Sequence, residues 1–211
     1  MFANIESLDL EVSKPLQGND DLNDEQKIKK IQHLFGEIMT TLGLDLTDDS
    51  LKDTPLRVAK MYVKESFSGL NAQNKPAISL FKNSYNYNQM LIEKDITLYS
   101  HCEHHFVPII GKVSVAYIPK DSVIGLSKIN RLVQYYARRP QVQERLTVQI
   151  LEGLQKALKN KDVAVWIQAD HLCVASRGIG DTNSKTTTEQ YGGQFLENSE
   201  LQKKFLNLIN Q

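Results

Sequence analysis

Cysteine is scarce. The 211-residue chain carries two, Cys102 and Cys173, which excludes the dense disulfide framework of a small secreted domain. Charge of one sign is missing as well. Lys plus Arg and Asp plus Glu number 25 each, so no global field draws the chain to nucleic acid or to a membrane surface, and any anion site must be local. No apolar run approaches the roughly 20 residues of a membrane-spanning helix. The first residues, Met1 to Asp9, lack the basic-then-apolar order of a secretory signal. The chain is therefore expected in the cytoplasm, where thiols stay reduced. Repeats and low-complexity tracts are also missing. What remains is an average globular composition, 41% hydrophobic and 24% charged, enough for a substantial core in one domain or a domain with a helical extension.

Residues 1–21 are polar and without periodicity, which reads as a loose leader. From Asn23 the pattern changes. Ile28, Ile31, Leu34, Phe35, Ile38, Met39 and Leu42 recur at helical spacing, Asn23 with Gln26 forms a capping box, and Gly43 is a stop. Thr54-Pro55 reads as an N-cap with proline at the first helical position, opening a second helix that runs through Phe67 toward Gly69. Residues 71–90 read as a connecting loop, so 22–90 form an N-terminal helical region and 91–211 a second domain.

In that domain Ile92–Ser100 and Lys112–Ile118 alternate as strands, with Val113, Val115 and Tyr117 on one face. Helices are expected over roughly 127–138 and 141–159, with Pro140 in the first turn of the second. A strand from Val163 is expected to run through Val174, and a polar stretch, 182–188, leads to Gly192-Gly193 and a last helix near 199–209. The order predicts an α+β fold with the helices on one face of a sheet.

Chemistry concentrates around the two cysteines. Cys102 and His105 stand three apart, a spacing that lets both face one ion on a helical turn, while His104 points elsewhere. If the strand continues past Asp170, His171 and Cys173 share a face. Either half alone is explained as well by a buried thiol and a hydrogen-bonded core histidine. Together they place every cysteine of the chain beside histidines. Two thiolates and an imidazole suit zinc rather than magnesium or calcium. Three protein ligands leave a fourth tetrahedral position for water, which marks a catalytic site; a fourth ligand from His104 or His171 would make it structural instead. In the catalytic reading His104 and His171 are the acid–base pair of a metal-assisted hydrolysis. His101 has no assigned role and stays a stray candidate ligand. Spacing names no substrate.

The segments Cys-Glu-His-His-Phe-Val-Pro (102–108), Gly-Leu-Ser-Lys-Ile-Asn-Arg (125–131), Arg-Pro-Gln-Val-Gln-Glu-Arg-Leu-Thr (139–147), His-Leu-Cys-Val-Ala-Ser-Arg-Gly (171–178) and Ser-Lys-Thr-Thr-Thr (184–188) closely resemble the GTP cyclohydrolase I family, and Asp53–Lys60 resembles its N-terminal helical region. The likeness runs from about residue 25 to the end. It implies zinc on Cys102, His105 and Cys173, and proton transfer by His104 and His171. It implies opening of the guanine ring of GTP at C8, loss of formate and closure to dihydroneopterin triphosphate, the start of folate or pterin synthesis. Ser127 matches the position that handles ribose hydroxyls, although a serine there also reads as a helix N-cap. Glu144 matches the residue that holds guanine, with Gln143 assisting. Lys128, Arg131, Arg177, Arg57 and Lys60 match the binders of the triphosphate. The resemblance further implies the tunnelling fold, in which sheets from several subunits join into a barrel, and a homodecamer with active sites shared between subunits. Three rivals remain at this point: another tunnelling-fold enzyme acting on a pterin or deazapurine, a non-catalytic zinc-stabilised binding module, and a redox dithiol protein, the last disfavoured because no Cys-x-x-Cys is present.

Overall fold

In the computed structural model, which describes residues 22–211, the chain falls into two compact units, one ending at Leu70 and the other spanning Asn71–Gln211. The stretch read as a leader lies outside the described residues.

In the first unit, helix α1 (Asp24–Thr41) opens on the expected capping box. The Gln26 N–H donates to Asn23 Oδ1 at 3.0 Å and the Asn23 N–H donates to Gln26 Oε1 at 2.9 Å. Asp24 and Glu25 in the first turn suit the positive end of the helix dipole. Gly43, at φ +83°, takes the chain out of the helix through the left-handed region. Helix α2 (Thr54–Lys60) has Asp53, not Thr54 as the sequence suggested, at its N-cap position, and the Asp53 side chain makes no capping bond. Thr54 is already helical, and Pro55 still falls in the first turn, where a missing N–H costs nothing. The helix continues as a wide π-turn over Met61–Ser66.

The first strand of the second unit, β1 (Leu80–Lys82), lies inside the segment expected to be loop, after a 3-10 turn over Ala72–Asn74. It is followed by β2 (Leu91–Cys102), β3 (Pro108–Tyr117), β4 (Ser122–Ile124), α3 (Leu126–Ala137), β5 (Pro140–Gln141) and α4 (Gln143–Leu158). Then come β6 (Val163–His171), α5 (Leu172–Ala175), β7 (Thr186–Tyr191), α6 (Gln194–Glu197) and α7 (Ser199–Ile209). β1 pairs with β4, while the main sheet runs β5-β2-β3-β6-β7, antiparallel except for the two-residue parallel bridge of β5 to β2.

Alternation along the strands decides what covers each face. Val163, Val165, Ile167 and Ala169 of β6 join Val113, Val115 and Tyr117 of β3 under α3 and α4, which contribute Ile129, Leu132, Val133, Leu146, Ile150 and Leu154. Each such fully buried aliphatic side chain contributes about 1.5–3 kcal/mol. The intervening residues, Ala116 and Ala164 with Trp166 packed beside them, face the other way onto Phe195 of α6 and Phe205 of α7. The α+β class and the helix pair on one face are as expected. The last helices depart from the expectation by covering part of the opposite face.

Three further expectations are corrected. Pro140 is not in a helix: it sits in β5, and α4 starts at Gln143. The strand expected to reach Val174 stops at His171, where α5 begins. The polar stretch before Gly192 contains β7, whose Thr186, Thr187 and Thr188 pair with Ala169, Gln168 and Ile167. Threonine is β-branched and fits a half-exposed strand despite its polarity.

Candidate active site

The site is built where β2 and β6 end. β2 closes on Cys102, and the chain turns back into β3 through residues 103–107. The Phe106 N–H donates to the Cys102 carbonyl at 2.8 Å and the Cys102 N–H to the Val107 carbonyl at 2.9 Å. Closing so tight a turn puts Phe106 at φ +54°, a left-handed conformation strained for a bulky side chain. The Cys102/His105 pair thus comes from a hairpin turn and not from the helical turn used to read its spacing.

β6 delivers the other half. His171, its last residue, lies opposite Ile109 of β3, and Cys173 follows on α5. The alternation argument for Cys173 therefore fails, yet the residue still reaches the same place. One ligand atom each from Cys102, His105 and Cys173 lies within 4.8 Å of the other two.

The donor set fits zinc. Two sulfurs and an imidazole nitrogen are the soft, three-membered set of a catalytic zinc site. Burial, then the neighbouring Cys102 thiol, push the Cys173 thiol above its ordinary range. Two adjacent thiolates resist forming without a cation between them, and a divalent metal would remove that resistance. Arg177 stands at the edge of this group. Its Nη1 lies 3.2 Å from His105 Nε2 and donates to the Cys173 carbonyl at 3.4 Å.

His104 touches one corner of this group, its Nδ1 3.6 Å from Cys102 Sγ. His171 is held differently, through Gln143. Gln143 is 1% exposed. Its Nε2 donates to the carbonyls of Ile167 and Thr186 and to Thr188 Oγ1, at 3.3, 3.0 and 3.1 Å. Carbonyls accept only, so the amide orientation is fixed and Oε1 is the atom that faces His171 Nε2 at 2.8 Å. His171 therefore carries its proton on Nε2 and keeps Nδ1 free of that bond. Burial lowers its pKa below the ordinary histidine value, against the opposing pull of Glu144 and Asp170.

Comparison with known proteins decides the family. The model of the GTP cyclohydrolase I family matches residues 31–210. A GTP cyclohydrolase 1 of Flavobacterium johnsoniae is 58% identical over 189 residues, covering 90% of this chain and 84% of that protein. The chain belongs to the GTP cyclohydrolase I family.

A second GTP cyclohydrolase 1, of Mannheimia succiniciproducens, is 56% identical over 181 residues, 86% of this chain and 83% of its own. Among solved structures, an archaeosine synthase QueF-Like in the apo form aligns with 48% of this chain and 92% of that one, at 24% identity and a TM-score of 0.38. Membership makes this chain an enzyme of the hydrolase class. Among the described residues no helix is long and apolar enough to cross a membrane.

The other residues singled out from the sequence are placed as follows. Glu144 is exposed in the first turn of α4, near enough for its charge to act on His171. Ser127, Lys128 and Arg131 lie on α3, whose N-cap is Gly125, so Ser127 does not cap it. Among the described residues, no hydrogen bond or ion pair joins these three to the cysteine–histidine group. Arg57 and Lys60 lie exposed on α2 of the first unit, Arg57 facing Asp53 at 3.7 Å. His101 is not among the clustered ligands. Reading the sequence missed Glu103, Arg145 and Thr188, which hold the site's turns in place. Opposite charges at Glu103 and Arg145, inside two segments already recognised, were the available signal.

Proposed function

We propose that this chain, which as a GTP cyclohydrolase I family member is a hydrolase acting on GTP, opens the guanine ring at C8 with a zinc ion held by Cys102, His105 and Cys173. Zinc supplies a Lewis acid that brings the pKa of water to about 7 and so makes hydroxide available at neutral pH. The convergence of those three ligands beside a histidine fixed in one tautomer carries this reading.

The protein's own groups divide the remaining work. Glu144 accepts hydrogen bonds from guanine N1–H and the exocyclic amine, a pair of donors that adenine does not offer. Its place in the first turn of α4 suits a carboxylate, because the helix dipole favours negative charge there. Gln143 acts at one remove, as the acceptor that orients His171. With the Nε2–H committed to Gln143, His171 takes up and releases a second proton at Nδ1. His104 is the second proton carrier. C8 leaves as formate, and the opened ribose is rearranged into the ring of dihydroneopterin triphosphate. Ser127 binds ribose hydroxyls, and Lys128, Arg131, Arg177, Arg57 and Lys60 bind the triphosphate, whose charge demands several cations. The chain works in the cytoplasm as a homo-oligomer, a decamer in which neighbouring subunits share each site.

The test is to incubate the purified, zinc-analysed protein with GTP and follow formate together with pterin fluorescence after oxidation. Both products are expected, both absent in Cys173→Ser. His104→Ala should lose turnover and keep its zinc. Zinc at one per chain with GTP unchanged would overturn the reading, and loss of zinc from His104→Ala would mark a four-ligand structural site instead.

A further inference from the structure

Glu103 stands between the ligands Cys102 and His105, where a carboxylate is a natural competitor for the metal. The structure holds it away. Arg145 Nη2 pairs with Glu103 Oε2 and donates to the Pro140 carbonyl at 3.0 Å, while its Nε donates to Gln141 Oε1 at 3.0 Å. The fork is aimed before Glu103 meets it. Gln141 is 1% exposed, and its Nε2 donates to the Tyr136 carbonyl at 3.0 Å and to Gln149 Oε1 at 2.9 Å, which leaves Oε1 toward Arg145. The Glu103 N–H also donates to the Gln141 carbonyl at 3.0 Å, and β5 is bridged to β2 at Cys102 and Gln141. The other carboxylate oxygen stands 3.9 Å from His104 Nε2.

Charge gives this arrangement its purpose. Two thiolates already balance a divalent ion, and a carboxylate added to them would make the centre net negative and fill the position that water needs. We propose that Arg145 is a positioning residue of the metal centre, whose paired guanidinium keeps the Glu103 carboxylate out of the ligand set. The inference rests on the three-ligand reading above. It extends that reading to residues that touch neither metal nor substrate.

Cobalt replaces zinc and reports its coordination by colour, so the test uses the cobalt-loaded full chain and its Arg145→Met and Arg145→Lys variants. Methionine keeps the stem of the arginine and removes the fork. Arg145→Met should keep its metal but show weaker visible bands as a further oxygen ligand joins, with kcat down about 10–100-fold. Arg145→Lys should fall between, because an ammonium cannot reproduce the fork. Adding Glu103→Gln to Arg145→Met should return the spectrum toward that of the unaltered chain, since the packing lost is the same and only the free carboxylate is gone. The inference is overturned if the Arg145→Met spectrum superimposes on the original, or if Glu103→Gln does not reverse the change. Failure of the three-ligand reading looks different: the unaltered chain would then lack thiolate-to-cobalt absorption.

Discussion

Gln143 commits every hydrogen-bonding atom of its amide within the chain, donating to two carbonyls and a threonine and accepting from His171. That saturation fixes which ring nitrogen of His171 carries the proton. Gln143→Leu removes the acceptor and leaves the Thr186 and Ile167 carbonyls without this donor, at a cost of about 1–3 kcal/mol in stability. Because the histidine also loses its tautomer control, kcat should fall by an order of magnitude or more while zinc content and the KM for GTP stay near normal. A matched fall in zinc content would show that Gln143 supports the fold of the site and not the orientation of His171. Sequence could not reveal this role. A glutamine at the start of an amphipathic helix reads as polar surface or as a substrate contact, and its burial depends on β7, which the sequence reading missed. The cysteine–histidine cluster was legible for the opposite reason: a thiol next to imidazoles carries its chemistry in its type, whatever turn presents it.

Long elements with a clear period were readable, and short ones set by tertiary contact were not. α1 announced itself through its capping box and its spacing. β5 is two residues long and exists because β2 offers it an edge, while the switch from β6 into α5 at Leu172 carries no proline or glycine to mark it. Asp162, at the mouth of β6, is a contact of this second kind. Its side chain is 5% exposed and pairs with Lys120 at 3.0 Å. It also accepts from the Gln194 N–H at 2.9 Å and from the Gln194 side chain at 3.0 Å, tying β6 to the start of α6. Burial alone would raise its pKa, but the two bonds from Gln194 and the Lys120 charge outweigh it and hold the carboxyl below its ordinary value. The folded pKa is therefore the lower one. The carboxylate stabilises the fold above the ordinary value of 3.8, and that contribution is lost as pH falls through the folded pKa. Asp162→Asn should melt earlier than the original chain at neutral pH, by about 1–3 kcal/mol, and the gap should close as the melts are repeated below pH 3.8. A gap independent of pH would assign the effect to shape and not to charge.

At the scale of the whole molecule, the binding groups proposed for one substrate come from several elements. Arg177 is at the cysteine–histidine group, Lys128 and Arg131 are on α3 without a bond to that group among the described residues, and Arg57 and Lys60 are on α2 of the first unit. The surface is also unfinished. Among the described residues β7 ends the main sheet with no further strand paired to it, and Leu34, Ile38 and Leu42 form an exposed apolar row on α1. Open edges and apolar rows are what a partner copy covers. If neighbouring copies share each site, two inactive variants that damage different halves must complement. Cys173→Ser removes a proposed metal ligand, and Arg131→Ala removes a proposed triphosphate cation from α3. Each alone should show little turnover. Unfolded separately, mixed in equal amounts and refolded together, they should form hetero-oligomers in which about a quarter of the sites draw both halves from intact copies. Turnover should then recover toward that fraction, with native mass unchanged. Mixing the folded oligomers without unfolding serves as the control and should recover nothing on a short timescale. If co-refolding gives hetero-oligomers, verified by mass, with no gain in turnover, the proposed metal ligands and α3 cations serve the same copy.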